Sequence, residues 1–168
     1  MKGPASILVM GVCGCGKSSV GAALSEALGM PFLEADGLHP PENVARMAAG
    51  IPLTDEDRRG WLDSIAQRLQ DAGVRGAGLV VACSALKRAY RDRLRMAAPD
   101  LRIVHLVGSE SLLRSRMSLR EGHFMPVTLL ESQLATLEPP DRAENAIACD
   151  IGQPVDAIVD HALRHLLA

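Results

Sequence analysis

Gly11-Val12-Cys13-Gly14-Cys15-Gly16-Lys17-Ser18 decides the fold of this chain, because it matches the phosphate-binding pattern G-x-x-x-x-G-K-[ST]. The short apolar run 7–10 precedes it and predicts a buried strand. From Lys17 to Leu28 the apolar residues follow helical spacing, and Gly29 stands where a helix would end. Strand, glycine loop and helix in this order form the context in which the pattern binds phosphate.

The chemistry of this loop follows from its residue types. Glycines let successive backbone N–H groups face a phosphate, and the start of the following helix adds partial positive charge. Lys17 is predicted to reach the β- and γ-phosphates, and the Ser18 hydroxyl to bind Mg²⁺. A dinucleotide-binding G-x-G-x-x-G motif is excluded, because Ser19 stands where the third glycine is needed. Cys13 and Cys15 are interpreted as small loop residues, since the sequence supplies no paired soft ligands for a metal site.

Beyond the loop, strand patterns alternate with helix patterns. Strands are predicted from Phe32-Leu33 to an end at Asp36-Gly37, and at 79–83, 101–107 and 146–150. Helices are predicted at 41–50, 86–98, 109–120, 128–137 and 155–167. Another is predicted to start at the capping residue Thr54 and its acidic neighbours, with an apolar face that includes Leu69. This alternation predicts an α/β fold with a mostly parallel sheet covered by helices on both faces.

Composition bounds the class of protein. The 168 residues correspond to one domain, 1–168, and the 48% hydrophobic share is enough for a core. A net charge of −2 and an aromatic share of 2% argue against nucleic-acid and membrane-surface binding. The longest apolar run, 78–86, is too short to span a bilayer. Four sparse cysteines favour a reducing cytoplasm.

Polar residues near predicted strand ends are the candidate acceptor-side groups. Asp36 is expected to end the second strand, where a carboxylate could take a proton from an attacking hydroxyl or order Mg²⁺ through water. His39 could orient substrate or cap a turn. Lys87 could contact an anion, or be a solvated charge at a helix start. Ser84 stands where many phosphate-loop proteins place a metal-binding aspartate, so Ser18, phosphate oxygens and water are expected to hold the metal.

A second basic region is a candidate lid. Arg116 and Arg120 are four residues apart on one predicted helix, and the glycine-containing segment 121–126 follows them. Two guanidinium groups beside such a loop would suit a lid that closes over transferring phosphates, although surface arginines are the alternative.

Together these motifs resemble the small, bacterial-type gluconate kinases. The resemblance covers nearly the whole chain, and it rests on an ordered set rather than on the phosphate loop alone. The further motifs are Asp36-Gly37-Leu38-His39-Pro40, the stretches 43–47 and 50–53, Asp55-Glu56-Asp57-Arg58 with Trp61-Leu62, Cys83-Ser84-Ala85-Leu86-Lys87, and Gly122-His123-Phe124-Met125.

The resemblance implies a three-layer P-loop fold of the nucleoside-monophosphate and shikimate kinase type. It implies a five-stranded parallel sheet, a substrate-binding segment at about 36–75 and a lid at about 116–128. The implied reaction is phosphorylation of D-gluconate by ATP to 6-phosphogluconate, in a cytoplasmic and often dimeric enzyme. A kinase for another small anion, such as shikimate or a nucleotide, and a non-catalytic nucleotide-binding module are the alternatives.

The resemblance also implies roles for individual residues. Lys17 and Asp36 would be catalytic, and Arg58 would clamp the substrate carboxylate. The ATP-binding set would be Gly11, Val12, Cys13, Gly14, Cys15, Gly16, Lys17, Ser18, Arg116, Arg120, Gln153 and Pro154. The substrate-binding set would be Asp36, His39, Arg58, Lys87 and His123. Cys13 and Cys15 replace the serines common in the family, which predicts a site sensitive to thiol oxidation.

Overall fold

The structure, a computed structural model, describes residues 3–119 and 127–168. Five strands form one parallel sheet in the order β2-β3-β1-β4-β5. They are β1 (Ile7–Met10), β2 (Phe32–Glu34), β3 (Val80–Ala82), β4 (Arg102–Val107) and β5 (Ile147–Asp150). Ile7 of the central strand lies opposite Val80 on one side and Arg102 on the other. The predicted parallel sheet is confirmed.

Helices cover both faces of this sheet. In the described ranges they are α1 (Lys17–Leu28), α2 (Pro41–Ala48), α3 (Asp55–Val74), α4 (Arg88–Ala97), α5 (Glu110–Ser118), α6 (Val127–Thr136) and α7 (Val155–Leu166). Successive side chains of β1 lie on opposite faces of the sheet. Ile7 and Val9 pack with α1 and α7, whereas Leu8 and Met10 pack with α3 and α4. Because every β1 side chain is buried, the strand is apolar throughout rather than alternating.

Local signals fixed several helix ends as the sequence predicted. Thr54 and Asp57 form a capping box at the start of α3, with Asp57 N–H donating to Thr54 Oγ1 at 3.1 Å and Thr54 N–H to Asp57 Oδ2 at 2.9 Å. Gly29 ends α1 with a left-handed φ of 65°.

The prediction that Asp36 ends the second strand is wrong. Strand β2 stops at Glu34, where its pairing with β3 also stops, and a 3-10 turn spans Ala35–Leu38. The carbonyl of Ala35 accepts a hydrogen bond of 2.7 Å from the Trp61 indole, which holds the chain in this turn against α3. Asp36 therefore lies in the turn just beyond the sheet edge.

A buried ion pair ties α4 to the segment before β5. Arg91 and Glu144 are 0% and 1% exposed, and the guanidinium donates to both carboxylate oxygens at 2.7 and 3.0 Å. Arg91 also donates to the carbonyl of Ala85 at 2.9 Å, where a positive φ of 45° turns the chain after β3. The pair therefore fixes the loop that carries Ser84.

Among the helices of residues 3–119 and 127–168, none is long and apolar enough to cross a membrane.

Candidate active site

The phosphate loop connects β1 to α1 at the carboxyl edge of the sheet. Gly14 and Gly16 have backbone φ values of 83° and 91°, which residues other than glycine rarely adopt. A Cβ at Gly14 would also lie 2.8 Å from Cγ of Met117, so this position has no room for a side chain. In the described part of the chain the backbone N–H groups of Gly14, Gly16 and Lys17 donate to no protein acceptor. Such a run of available donors before a helix is suited to an anion.

Lys17 stands at the first position of α1 and supplies the positive charge of the loop. Its Nζ donates to the carbonyl of Val12 at 3.0 Å. Burial works against the charged ammonium, but the fields of Cys15 and Asp36 outweigh it, so the pKa of Lys17 lies above its ordinary value. Lys17 is therefore a cation at neutral pH.

Ser18 and Glu34 place two oxygen ligands side by side. The Ser18 hydroxyl donates to Oε2 of Glu34, the last residue of β2. In residues 3–119 and 127–168 no three His, Cys, Asp or Glu side chains cluster as a metal site would require. A hydroxyl and a carboxylate fit Mg²⁺, which retains several waters and uses few protein ligands.

The turn after β2 holds Asp36 and His39 at the same edge. The His39 ring stacks on Trp61, with centroids 4.2 Å apart and planes 14° from parallel. Asn43 is buried and donates to the carbonyl of Asp57 at 2.8 Å, and its amide lies 3.2 Å from His39 Nδ1. Burial and the nearby Arg58 lower the pKa of His39 to about 4, although Asp36 opposes them. His39 is therefore neutral at physiological pH.

Arg58 on α3 is oriented by a polar network that reaches α4. Its Nη1 donates to the Tyr90 hydroxyl at 2.9 Å, and that hydroxyl donates in turn to Asp55 Oδ1. Lys87 Nζ donates to the same carboxylate oxygen at 2.9 Å. Tyr90 is 5% exposed, so its hydroxyl offers Arg58 a fixed acceptor.

One cleft brings these groups together. Its lining comprises Cys13, Gly14, Gly16, Lys17 and Ser18 of the loop, then Glu34, Asp36, His39, Arg58, Trp61 and Ser84, and residues of α6. Cations therefore line the cleft at Lys17 and Arg58, and the carboxylate of Asp36 shares it with them. This arrangement can hold two anionic groups and accept a proton between them.

A second cleft opens on the other side of the phosphate loop. Gly14 and Gly16 line it together with Arg116, Gln153 and Pro154. The Arg116 guanidinium donates to the carbonyl of Ile151 at 2.6 Å, which holds the α5 end against the turn after β5. Gly152 N–H donates to Asp150 Oδ1 at 2.8 Å within that turn.

Comparison with known proteins gives the family. A sequence-family model described as an AAA domain matches residues 7–140. A gluconokinase from Gluconobacter oxydans (strain 621H) is 44% identical over 165 residues, which cover 98% of this chain and 93% of the relative. The chain belongs to the gluconokinase family. The resemblance identified from the ordered motifs is confirmed.

Solved structures agree with this membership. A crystal structure of a gluconokinase from Sinorhizobium meliloti 1021 has a TM-score of 0.89 at 54% identity, covering 99% of this chain and 94% of that chain. An unliganded sugar kinase from Janibacter sp. HTCC2649 has a TM-score of 0.92 at 45% identity, covering 96% of this chain and 93% of that one. The three-layer P-loop kinase fold predicted from the sequence is therefore the fold of this gluconokinase-family chain.

The structure brings most of the predicted site residues to the two clefts. Gly11, which opens the loop, has a φ of 154°, and a Cβ there would lie 3.0 Å from the backbone oxygen of Leu106, so a side chain at this position would be strained. Lys87 lies beside the first cleft, paired with Asp55, and does not line it. Gly11 and Val12, at the start of the loop, line neither cleft. Arg120 and His123 lie outside the described residues.

The loop cysteines are buried rather than reactive. Cys13 and Cys15 are 6% and 2% exposed. Burial raises the pKa of the Cys13 thiol to about 11, despite the opposing field of Lys17. Because the thiolate is the form that is oxidised readily, this argues against the thiol sensitivity expected from the sequence.

Sequence reasoning missed several residues of this gluconokinase-family site. Glu34 precedes Asp36 by two positions, but only the structure places it at the end of β2 beside Ser18. Tyr90 and Gln133 carried no local signal, because their partners Arg58 and Cys13 are 32 and 120 residues away in the chain.

Proposed function

We propose that this chain transfers the γ-phosphoryl group of ATP to the 6-hydroxyl of D-gluconate, giving ADP and 6-phospho-D-gluconate. The observation that carries the proposal is the shared cleft, in which a phosphate loop, a carboxylate and an arginine face one space. A relative 44% identical to the chain carries the name gluconokinase, which supports this choice of acceptor.

ATP would occupy both clefts, with its phosphates on the loop N–H groups and Lys17. The second cleft, lined by Arg116, Gln153 and Pro154, would take the adenosine side. Bound ATP supplies the phosphoryl group and the leaving ADP. Lys17, charged at neutral pH, would neutralise negative charge on the phosphates as the bond to ADP breaks.

Mg²⁺ would be held by the Ser18 hydroxyl, with Glu34 beside it as a direct or water-mediated ligand. Both groups are hard oxygen ligands of the kind Mg²⁺ prefers. The Ser18 hydroxyl can donate to Glu34 and still offer an oxygen lone pair to the metal, so this hydrogen bond is compatible with metal binding.

Asp36 would accept the proton of the attacking hydroxyl, and Arg58 would bind the gluconate carboxylate. Arg58 suits this task because a guanidinium can bond both carboxylate oxygens at once, and Tyr90 fixes its orientation. His39, held neutral against Trp61, would hydrogen-bond a sugar hydroxyl instead of adding charge. Lys87 would act through Asp55, by helping to orient the same network.

We further propose that 1–168 acts as one kinase domain, with a substrate-binding segment at about 36–75 and a lid at about 116–128. Residues 116–118 and 127–128, at the two ends of the proposed lid, belong to α5 and α6. Arg120 would contact phosphates and His123 the substrate. A cytoplasmic homodimer remains the predicted state, and the four unpaired cysteines are consistent with a reducing compartment.

The test is ADP release with Mg-ATP in the presence of D-gluconate, shikimate, AMP or no acceptor. Stimulation by gluconate alone supports the proposal. If another acceptor stimulates ADP release instead, that acceptor is the substrate rather than gluconate. If the chain binds ATP but no acceptor stimulates ADP release, the chain is a nucleotide-binding module.

The role of Asp36 is tested with Asp36→Asn, which keeps the shape and removes the basic oxygen. We expect kcat to fall by roughly 10²-fold or more, while ATP affinity changes little. Asp71→Asn, on the exposed face of α3, is the matched control. A kcat within about twofold of the unmodified chain would remove Asp36 from the base role.

A further inference from the structure

Gln133 joins α6 to the phosphate loop. Its Oε1 accepts a hydrogen bond of 2.7 Å from the backbone N–H of Cys13. The same side chain lines the cleft that contains Lys17 and Asp36. Neither the phosphate pattern nor the mechanism above assigns Gln133 a role.

The hydrogen bond fixes the orientation of the amide. A glutamine side chain has one accepting oxygen and one NH₂ group with two donors. The Cys13 N–H can only donate, so it holds the oxygen on the loop and leaves Nε2 on the other side of the amide. Within residues 3–119 and 127–168, Nε2 donates to no protein acceptor. Among the described residues these two donors are therefore unengaged beside the cleft.

The helix that carries Gln133 is anchored on both sides of the cleft. Leu129 packs with Met47 and Leu53 of the proposed substrate-binding segment. Leu130 is 0% exposed in the core beneath α1. The amide is thus held in place by packing as well as by the Cys13 N–H, so its donors need little reorganisation to act.

We propose that Gln133 contacts the substrate, with Nε2 donating a hydrogen bond to a γ-phosphoryl oxygen while Oε1 retains the N–H of Cys13. The proposal rests on the proposed function, because it assumes that ATP phosphates occupy the loop. During phosphoryl transfer, negative charge is spread over the equatorial oxygens of the moving group. A fixed neutral donor stabilises that negative charge. Unlike a cationic donor, it adds no positive charge that would draw the Asp36 carboxylate away from the attacking hydroxyl.

Two variants separate donation from simple tethering. Gln133→Met removes the acceptor and the donors, whereas Gln133→Glu keeps an oxygen for Cys13 N–H, removes the donors and adds a negative charge, so retained function in Gln133→Glu is its decisive result. Gln67→Met is the control, since Gln67 is exposed on α3 and its side chain donates to the Asp71 side chain, away from the cleft. The readouts are the Kd values for ADP and for a non-hydrolysable ATP analogue, kcat with gluconate, and the thermal unfolding midpoint.

We expect Gln133→Met to weaken binding of the analogue by about tenfold, as loss of a hydrogen bond to a charged group does, and ADP binding by less than about twofold. Both Gln133 variants should lose roughly 10²-fold in kcat, as when a donor to a transition-state oxyanion is removed. The Gln67→Met values should match those of the unmodified chain.

The proposal is overturned if Gln133→Glu keeps kcat and analogue affinity within about twofold, because the oxygen alone would then suffice. It is also overturned if Gln133→Met weakens ADP and the analogue equally, which would indicate only a looser phosphate loop. If Gln133→Met fails to fold, the kcat and analogue affinity of Gln133→Glu test the proposal on their own. If the unmodified chain does not phosphorylate gluconate, the proposed function fails, and the two Kd values still test Gln133.

Discussion

Replacing Glu144 with glutamine would leave the guanidinium of Arg91 buried without its counter-charge. Both side chains are at most 1% exposed and share two hydrogen bonds, at 2.7 and 3.0 Å. Burial opposes the charged carboxylate, but Arg91 and Arg95 outweigh it and lower the pKa of Glu144 from 4.5 to about 2. At about 1.4 kcal/mol per pKa unit, this difference corresponds to about 3–3.5 kcal/mol. Breaking a buried pair typically costs about 3–5 kcal/mol, which agrees.

We therefore expect Glu144→Gln to lower the free energy of unfolding by about 3 kcal/mol at pH 7. For a chain of this length that is a fall in Tm of roughly 6–12 °C. The carboxylate contributes fully above its unfolded pKa, near 4.5, and its contribution is lost as the pH falls through about 2. The difference in the free energy of unfolding between the unmodified chain and the variant must therefore become smaller below about pH 4.5.

Urea unfolding between pH 7 and pH 3.5 measures both effects. Asp63→Asn is the control, because Asp63 pairs with Arg93 on the surface and should contribute less than about 1 kcal/mol. A loss below about 1 kcal/mol for Glu144→Gln, or a gap independent of pH, would refute the reasoning.

Three further predictions concern the site. Tyr90→Phe removes the hydroxyl that orients Arg58, so the KM for gluconate should rise by about tenfold with a smaller change in kcat. An unchanged KM would contradict this role of Tyr90. Because the pKa of His39 is about 4, the ring should not titrate near pH 6.5, so the pH profiles of kcat/KM for the unmodified chain and for His39→Gln should have the same shape in that range. An inflection near pH 6.5 that disappears in His39→Gln would contradict this prediction. Because burial raises the pKa of Cys13 to about 11, iodoacetamide at pH 7.5 should label the folded chain at least ~10²-fold more slowly than the urea-unfolded chain, as measured by mass spectrometry.

Local sequence signals were sufficient wherever the interaction spans only a few residues. The phosphate loop, the capping box at Thr54 and the terminal glycine of α1 each depend on backbone geometry within one turn. Alternation of strands and helices then requires a parallel sheet, and the carboxyl ends of its strands necessarily meet at one edge. Lys17 and Asp36 could therefore be assigned to one site before their positions were known.

The extent of β2 was decided by a tertiary contact. Phe32 and Leu33 predict a strand, but nothing local marks its end at Glu34. The Trp61 indole, 26 residues later, bonds the carbonyl of Ala35 and turns Asp36 out of the sheet. Side-chain partners that far apart in the chain leave no periodicity to detect.

By itself the sequence determined the fold class, the phosphate loop and the family of this protein, because those depend on short-range geometry and on ordered motifs. Only the tertiary structure decided which side chains meet around the loop. Gln133 reaches Cys13, Tyr90 orients Arg58, and Lys87 turns to Asp55 rather than into the cleft. These contacts depend on how helices pack across the sheet, and packing is fixed by the whole core rather than by any one segment.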